Sequence, residues 1–365
     1  MIKTALYDQH ERLGARIVDF GGFLLPVQYT SVLEEHRHCR TAASVFDCSH
    51  MGQYLIQGES AAEALATVCT QDAVKLRPGR CKYGFLLNDD GGVIDDTILM
   101  RLADDEFLLV VNAGGRDSDY EWIESRLPSQ LPVELTHLSQ QGYAKIDVQG
   151  PQSLEVLSPL CETDPSALKY FAIHRNKIAG HDCFLSRTGY TGELGYEIMG
   201  PSDAVSAIFD AVLENSITQP AGLGARDSLR LEMGYPLYGH ELSREIGPIH
   251  AGLEFFLDTS RDFIGVEALR NLEATPPSQS IVFFKSATRR RAQEGNGVLC
   301  DGNPVGTVTS GAFSPSLEVS IGAALVDAKC AEVGTKLQID TGRAKFDVEV
   351  ADRPLYQDGT ARKKI

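Results

Sequence analysis

Hydrophobic positions along the chain change their period several times, and each change marks an element. Over residues 2–45 the apolar positions recur at helical spacing, with a loop at GGFLLPVQY before SVLEEHRHCRTAA resumes the pattern. From residue 52 onward strand and helix alternate. QYLIQG predicts a strand, and SAAEALATVCTQD predicts a helix whose Ser60 and Glu63 form a capping box. Residues 83–112 predict an antiparallel meander: YGFLL, VIDDTILMRL and EFLLVVN, joined by the hairpin-type links NDDGG and ADD. A helix follows at GGRDSDYEWIESRL. Further strands and a helix opened by GPQSLEVLSPL occupy 143–199, and amphipathic helices are expected at 203–215 and 221–233.

The pattern shifts at LEATPPSQS, residues 272–280, which reads as a linker. Beyond it strands dominate: SIVFFKS, GVLCDGNPVGTVTSG, VSIGAALVD, TKLQID and AKFDVEV, a small all-β module of barrel type. The expected organisation is an α+β body over 1–272, with two interleaved subdomains, and a C-terminal β-barrel over 280–358. No internal repeat is present.

Charge narrows the partners. The 365 residues carry 34 basic and 50 acidic side chains, a formal net charge of −16. Such a surface repels phosphate backbones, which argues against nucleic acid. A dense basic cluster stands at Arg289-Arg290-Arg291, and an anionic ligand would need its own local arginines. No run of eighteen apolar residues exists, and no membrane span is expected. The first twenty residues lack the apolar run and small-residue site of a secretory signal. Eight scattered cysteines without a C-x-x-C pair read as reduced core thiols, and the expected location is cytoplasmic.

Four acids lie within NDDGGVIDD, residues 88–96. Asp89 and Asp90 fall in the turn, where Asx chemistry accounts for them. Strand alternation places Ile94, Asp96, Ile98, Met100 and Leu102 on one face, so Asp96 is the single acid of an apolar face. A carboxylate buried there requires a fixed hydrogen-bond partner or a chemical role. A calcium loop is excluded because its acids alternate, whereas these come in adjacent pairs. In EEHRHC, His36 and His38 stand two apart on a helix and cannot chelate together, so the segment reads as a solvated helix face.

SRTGYTGELGYEI, residues 186–198, gathers glycines around Tyr190 in a tight turn where backbone approaches a ligand. Glu197 follows in a short strand. It is either a solvent-facing acid of a structural hairpin or an acceptor for a planar heterocycle with amidine-like N–H donors. In PAGLGARDSLRLEMGYPLYG, Arg226 and Arg230 share one helical stripe, free to bind a carboxylate or to pair with Asp227 and Glu232. Neither a phosphate loop nor a dinucleotide fingerprint occurs.

The order and spelling of GARIVDFGGFLLPVQYTSVLEEH, FDCSHMG, YGFLLNDDGGVIDD, LVVNA, SRTGYTGELGYEI, PAGLGARDSLRLEMGYPLYG, DFIGVEAL and GTVTSGAFSPSL closely resemble the aminomethyltransferase (T-protein) family of the glycine cleavage system. The resemblance runs from about residue 5 to 357. It implies a three-domain, cloverleaf-like α+β fold, two folate-binding domains plus the barrel. It also implies tetrahydrofolate as co-substrate, no metal, and the lipoylated H-protein as partner. By position it implies that Asp96 is the essential acid. Met51, Tyr83, Asn112, Tyr190, Glu197, Arg226 and Tyr235 would contact folate, and Arg362 would be a weaker contact for its glutamate. Phe23 and Phe255 stand where the family often has tryptophan, and Leu194 where it often has an acid. These departures keep open an alternative, a sister demethylase acting on a small methyl donor.

Overall fold

In the first forty residues the chain departs from its helical reading. The computed structural model describes residues 1–365, and in it Arg16–Phe20 and Phe23–Gln28 pair as an antiparallel hairpin between two short helices, Tyr7–Arg12 and Val32–Thr41. Gly21 and Gly22 take φ of +59° and +86°, backbone that favours glycine, so GG closes a turn and its flanks IVDF and FLLPV pair as strands. The helix after it is not solvated as expected. Glu35 and His36 are buried, and Glu35 accepts hydrogen bonds from the backbone N–H groups of Tyr29, Thr30 and Gly222. Helix Ala61–Val68 forms, but its capping box does not, because the Ser60 hydroxyl makes no capping bond.

The fold is a mixture of helices and strands with a closed barrel, assembled as two compact units. The first comprises residues 1–84, 97–226 and 359–365. Its six-stranded sheet runs in the order Ile173–Ile178, His181–Ser186, Gly195–Pro201, Tyr143–Gln149, Ala43–Asp47, Thr218–Pro220, antiparallel except for the last pair. Helix Ser202–Leu213 buries Ala204, Val205, Ile208, Phe209 and Val212 at i, i+3 and i+4 spacing, and four of these, all but Ala204, pack with Ile146, Val148, Leu185 and Ile198 of the sheet. The predicted meander forms Arg80–Leu87, Val93–Ala103 and Glu106–Val111, which a five-stranded sheet completes with Gly52–Gln57 and Glu134–His137.

Residues 85–96, the turn end of that meander, belong to the second unit together with 227–358. Asn88 makes the turn: its side-chain oxygen accepts from the N–H of Asp90 at 3.0 Å and of Gly92 at 2.9 Å. A side chain at Gly92 would overlap the Arg244 carbonyl, so that position has no room for anything larger. The barrel closes with six strands in the order Gln279–Lys285, Val319–Asp327, Asn303–Ser314, Gly297–Cys300, Lys336–Asp340, Lys345–Ala351. Alternate residues such as Phe346, Val348 and Val350 fill it. No helix is long and apolar enough to cross a membrane. All eight cysteines are free thiols, six of them buried.

Candidate active site

Strand Tyr143–Gln149 lies at the centre of the six-stranded sheet, antiparallel to Gly195–Pro201, with Asp147 directly opposite Glu197. Sheet pairing thus sets two carboxylates side by side. They are tolerated because two cations join them. Lys145, two residues along the same face, forms an ion pair with Asp147 and stands 3.4 Å from the Glu197 carboxylate. The Arg226 guanidinium reaches the other Asp147 oxygen at 2.9 Å and lies 4.9 Å from the centre of the Tyr190 ring. Lys145 and Asp147 are almost wholly removed from solvent, and Glu197 is 7% exposed.

The two acids titrate in opposite directions. Burial drives Asp147 up, but Lys145 and Arg226 together outweigh it and hold the carboxyl below its usual range. For Glu197 burial wins: Lys145, Arg226 and a hydrogen bond from Thr188 only offset the cost, adjacent Asp147 adds to it, and the carboxyl is raised above the usual glutamate range. Glu197 is therefore an acceptor whose charge is incompletely supported, the condition in which two further N–H donors would stabilise it most. Its burial rejects the solvent-facing hairpin acid: the carboxylate lies instead within an ion network, 3.4 Å from Lys145.

Gly192 takes a φ of +81°, as a tight turn requires, while Gly189 and Gly195 have a packing role beyond the expected one. Side chains at Gly189 or Gly195 would overlap the Gln149 amide. That amide donates to the Thr188 carbonyl at 3.2 Å and accepts from the Thr191 hydroxyl at 2.9 Å. Gly189 and Gly195 make room for a strut that fixes the loop, and Tyr190, at its tip, is left half-buried. The Glu193 carboxylate pairs with Arg40 at 2.8 Å, and Thr360 of the C-terminal tail donates to it.

The arginine stripe also divides. Arg226 serves the cluster just described. Arg230 is fully buried in the second unit and spent on Asp227 (2.9 Å), Glu241 (2.8 Å), the Tyr235 carbonyl (3.1 Å) and the Ser310 hydroxyl (2.8 Å). It is a structural residue, and Glu232 pairs instead with Ser314 and Ser316.

On strand Val93–Ala103 the burial of the two acids is the reverse of that expected. Asp95 is the fully buried one and Asp96 is half-buried, because the Val93, Asp95, Thr97, Leu99 face packs more deeply than the Ile94, Asp96, Ile98 face. Asp95 accepts the Asp96 backbone N–H at 3.0 Å, which fixes the peptide from which the Asp96 side chain projects. Tyr235, also half-buried, follows helix Leu223–Glu232 in the same unit. In the first unit Met51, Tyr83 and Asn112 are half-buried as well, at the turn before Gly52–Gln57, within Arg80–Leu87 and just after Glu106–Val111. Arg362 is exposed, its guanidinium 5.9 Å from the Tyr170 ring centre.

Three residues escaped the sequence reading. Lys145 and Asp147 spell KID in a strand, a pattern that ordinarily marks a wet face. His50, beside Met51, is buried between aromatic rings of Phe20 and Phe23, with its Nδ1 unpartnered. Burial lowers its pKa to about 4, so the ring is neutral near pH 7. No group of three or more His, Cys, Asp or Glu side chains is arranged to hold a metal ion.

Known proteins match this chain along its length. Residues 6–261 match the family profile described as the GCVT N-terminal domain, and 280–357 match the glycine cleavage T-protein C-terminal barrel domain. An aminomethyltransferase of Thermoanaerobacter pseudethanolicus is 41% identical over 360 residues, 97% of each chain. One from Prosthecochloris aestuarii is 40% identical over 97% of this chain and 99% of its own. The crystal structure of the glycine cleavage system aminomethyltransferase T from Bartonella henselae superposes with a TM-score of 0.93 at 32% identity, covering 98% of this chain and 99% of that one. These relatives favour aminomethyl transfer over the demethylase alternative. The chain belongs to the glycine cleavage T-protein family of aminomethyltransferases.

Proposed function

We propose that the protein transfers the aminomethyl carbon of a lipoyl H-protein to tetrahydrofolate, releasing ammonia and the dihydrolipoyl carrier. The observation that carries this reading is Glu197: a buried carboxylate with raised pKa, 3.4 Å from Lys145, in the field of an Arg226 guanidinium that itself lies over the Tyr190 ring. A pterin supplies what that acid lacks, two adjacent N–H donors on a flat ring that an aromatic face and a guanidinium can cover. Met51, Tyr83, Asn112 and Tyr235 are assigned to the rest of the folate, in a body spanning 1–272 that precedes a barrel at 280–358. The cytoplasm is the proposed compartment.

The chemistry asks for one well-placed acid. As the C–S bond breaks, sulfur takes the electron pair and the carbon becomes an iminium, which a folate nitrogen attacks. The second folate nitrogen then displaces ammonia, and the two folate protons leave on the thiol and the amine. Asp96 is assigned to stabilise the developing cation and to orient the attacking nitrogen. No metal is needed for these steps. Asp96→Asn should lower transfer by about 10²-fold or more, as loss of such a charge does, while tetrahydrofolate affinity measured by calorimetry is unchanged. An active Asp96→Asn enzyme would remove the acid from this role. Turnover of a small methyl donor in place of aminomethylated H-protein would replace the donor.

A further inference from the structure

At position 145 an ammonium group stands in an apolar row. Across the six-stranded sheet Lys145 lies opposite Met199, and Met199 opposite Phe184. Met199 and Phe184 pack with Met100, Leu108 and Val110 of the five-stranded sheet, so the surroundings at this level are hydrophobic. Lys145 is buried there all the same, with Asp147 next along the same face of strand Tyr143–Gln149. Fold stability is a weak reason for such a pair, because apolar side chains of similar volume serve a core as well or better. The reason lies in what the pair touches.

Asp147 divides its two oxygens. One takes the Lys145 ammonium, and the other accepts from Arg226 Nη1 at 2.9 Å. The Lys145 peptide is held as well: its carbonyl accepts the Cys48 N–H at 3.0 Å and the Ser49 hydroxyl at 3.2 Å. The Cys48 carbonyl in turn accepts the Met51 N–H at 3.1 Å, so the turn that ends at Met51 is built on the backbone of this lysine. The titratable and charged groups that face Glu197 are Lys145 and Asp147 from the neighbouring strand, Arg226 from helix Leu223–Glu232 and the Cys81 thiol from strand Arg80–Leu87. Burial raises that thiol and the Cys48 thiol beside Asp147, which keeps both neutral. On Glu197 the two members of the pair act with opposite sign: the ammonium favours its charge and the carboxylate opposes it.

We infer that Lys145 and Asp147 are positioning residues of the folate site: Asp147 anchors Arg226 over the Tyr190 ring and aims Lys145 at Glu197, and Lys145 holds Glu197 in the ionised form that accepts the ligand's N–H donors. The inference rests on the folate reading above. Calorimetry of tetrahydrofolate binding across pH tests it, with Glu197→Gln as the baseline for titration of the ligand itself. A general folding defect lowers affinity but does not move the acid edge of binding in opposite directions. In Lys145→Met the edge should move up by about one pH unit or more, the effect of losing an adjacent opposite charge. In Asp147→Asn it should move down, because Glu197 loses a like charge and has Lys145 to itself. Above the edge Asp147→Asn should also bind about threefold more weakly, as Arg226 loses its anchor over the ring. Lys145→Arg, which keeps the cation, should return the edge towards its original position. Edges that stay in place, or that move the same way in both variants, overturn the inference. Unfolding of both variants overturns it too, since the pair is then scaffold; where only one folds, its edge decides. Absence of tetrahydrofolate binding by the unaltered protein fails the folate reading and the inference with it, whereas normal binding with unmoved edges fails the inference alone.

Discussion

Two buried ion networks in this molecule use the same residue types to opposite ends. In the second unit Glu241 accepts from Arg230, from the Leu237 N–H at 3.0 Å and from the Thr309 hydroxyl at 2.6 Å. Burial raises its pKa, but Arg230 and these hydrogen bonds outweigh it, and the carboxyl is held below the usual range. In the first unit Glu197 is as buried but less well supported, and its pKa is raised. A carboxylate whose lone pairs are filled is part of the scaffold. One whose charge remains costly has the property that the proposed folate contact requires.

Breaking the filled network should have the larger effect. Glu241→Ala leaves the Arg230 guanidinium buried without its main partner, and about 3–5 kcal/mol of stability should be lost, visible as a lowered denaturation midpoint. A loss below about 1 kcal/mol would show that Arg230 finds water or other acceptors, and the distinction between the networks would collapse. Glu197→Ala should do the reverse. Lys145 keeps Asp147, so stability should change by no more than about 1 kcal/mol, whereas tetrahydrofolate affinity should drop by about 1.5–3 kcal/mol, the worth of hydrogen bonds to a charged group. Unchanged affinity by calorimetry would take Glu197 out of the folate site.

The difference between these networks was only half visible in the sequence. The barrel was legible because Phe346, Val348 and Val350 alternate with charges, and that period has one interpretation. Asn88-Asp-Asp-Gly-Gly was legible because asparagine and glycine make turns by local bonds. The N-terminal hairpin was not, since IVDF and FLLPV are too short to set a period of their own beside two helices. Lys145 and Asp147 look like a wet strand face, and only the packing of a second strand and of Arg226 dries it. Family resemblance singles out Glu197 and Arg226, whereas their local spelling is equally that of structural residues. Asp95 and Asp96 were assigned to the correct opposite faces, but which face packs deeper depends on tertiary contacts that alternation does not encode.

The finest test of the comparison is pH. Glu197 must be ionised to accept two N–H donors, and it is raised while Asp147 and Glu241 are lowered. In the free protein a raised carboxyl binds its proton more tightly folded than unfolded. Its charge therefore costs stability as pH rises from the ordinary glutamate range through its own raised value. The two lowered acids contribute the opposite: their stabilisation is present above the unfolded value and is lost only as pH falls through their own lower ones. Between those limits Glu197 is the member of the cluster that titrates, with Lys145 and Arg226 held cationic and Cys81 neutral. Folate binding should then release a proton in that window. Affinity should fall by up to about tenfold per pH unit below the raised value and be flat above it. In Glu197→Gln the slope should vanish, leaving only the titration of the ligand itself. A slope that persists unchanged in Glu197→Gln would mean that another group carries the proton, and the contrast between the two carboxylates would no longer support Glu197 as the proposed folate acceptor.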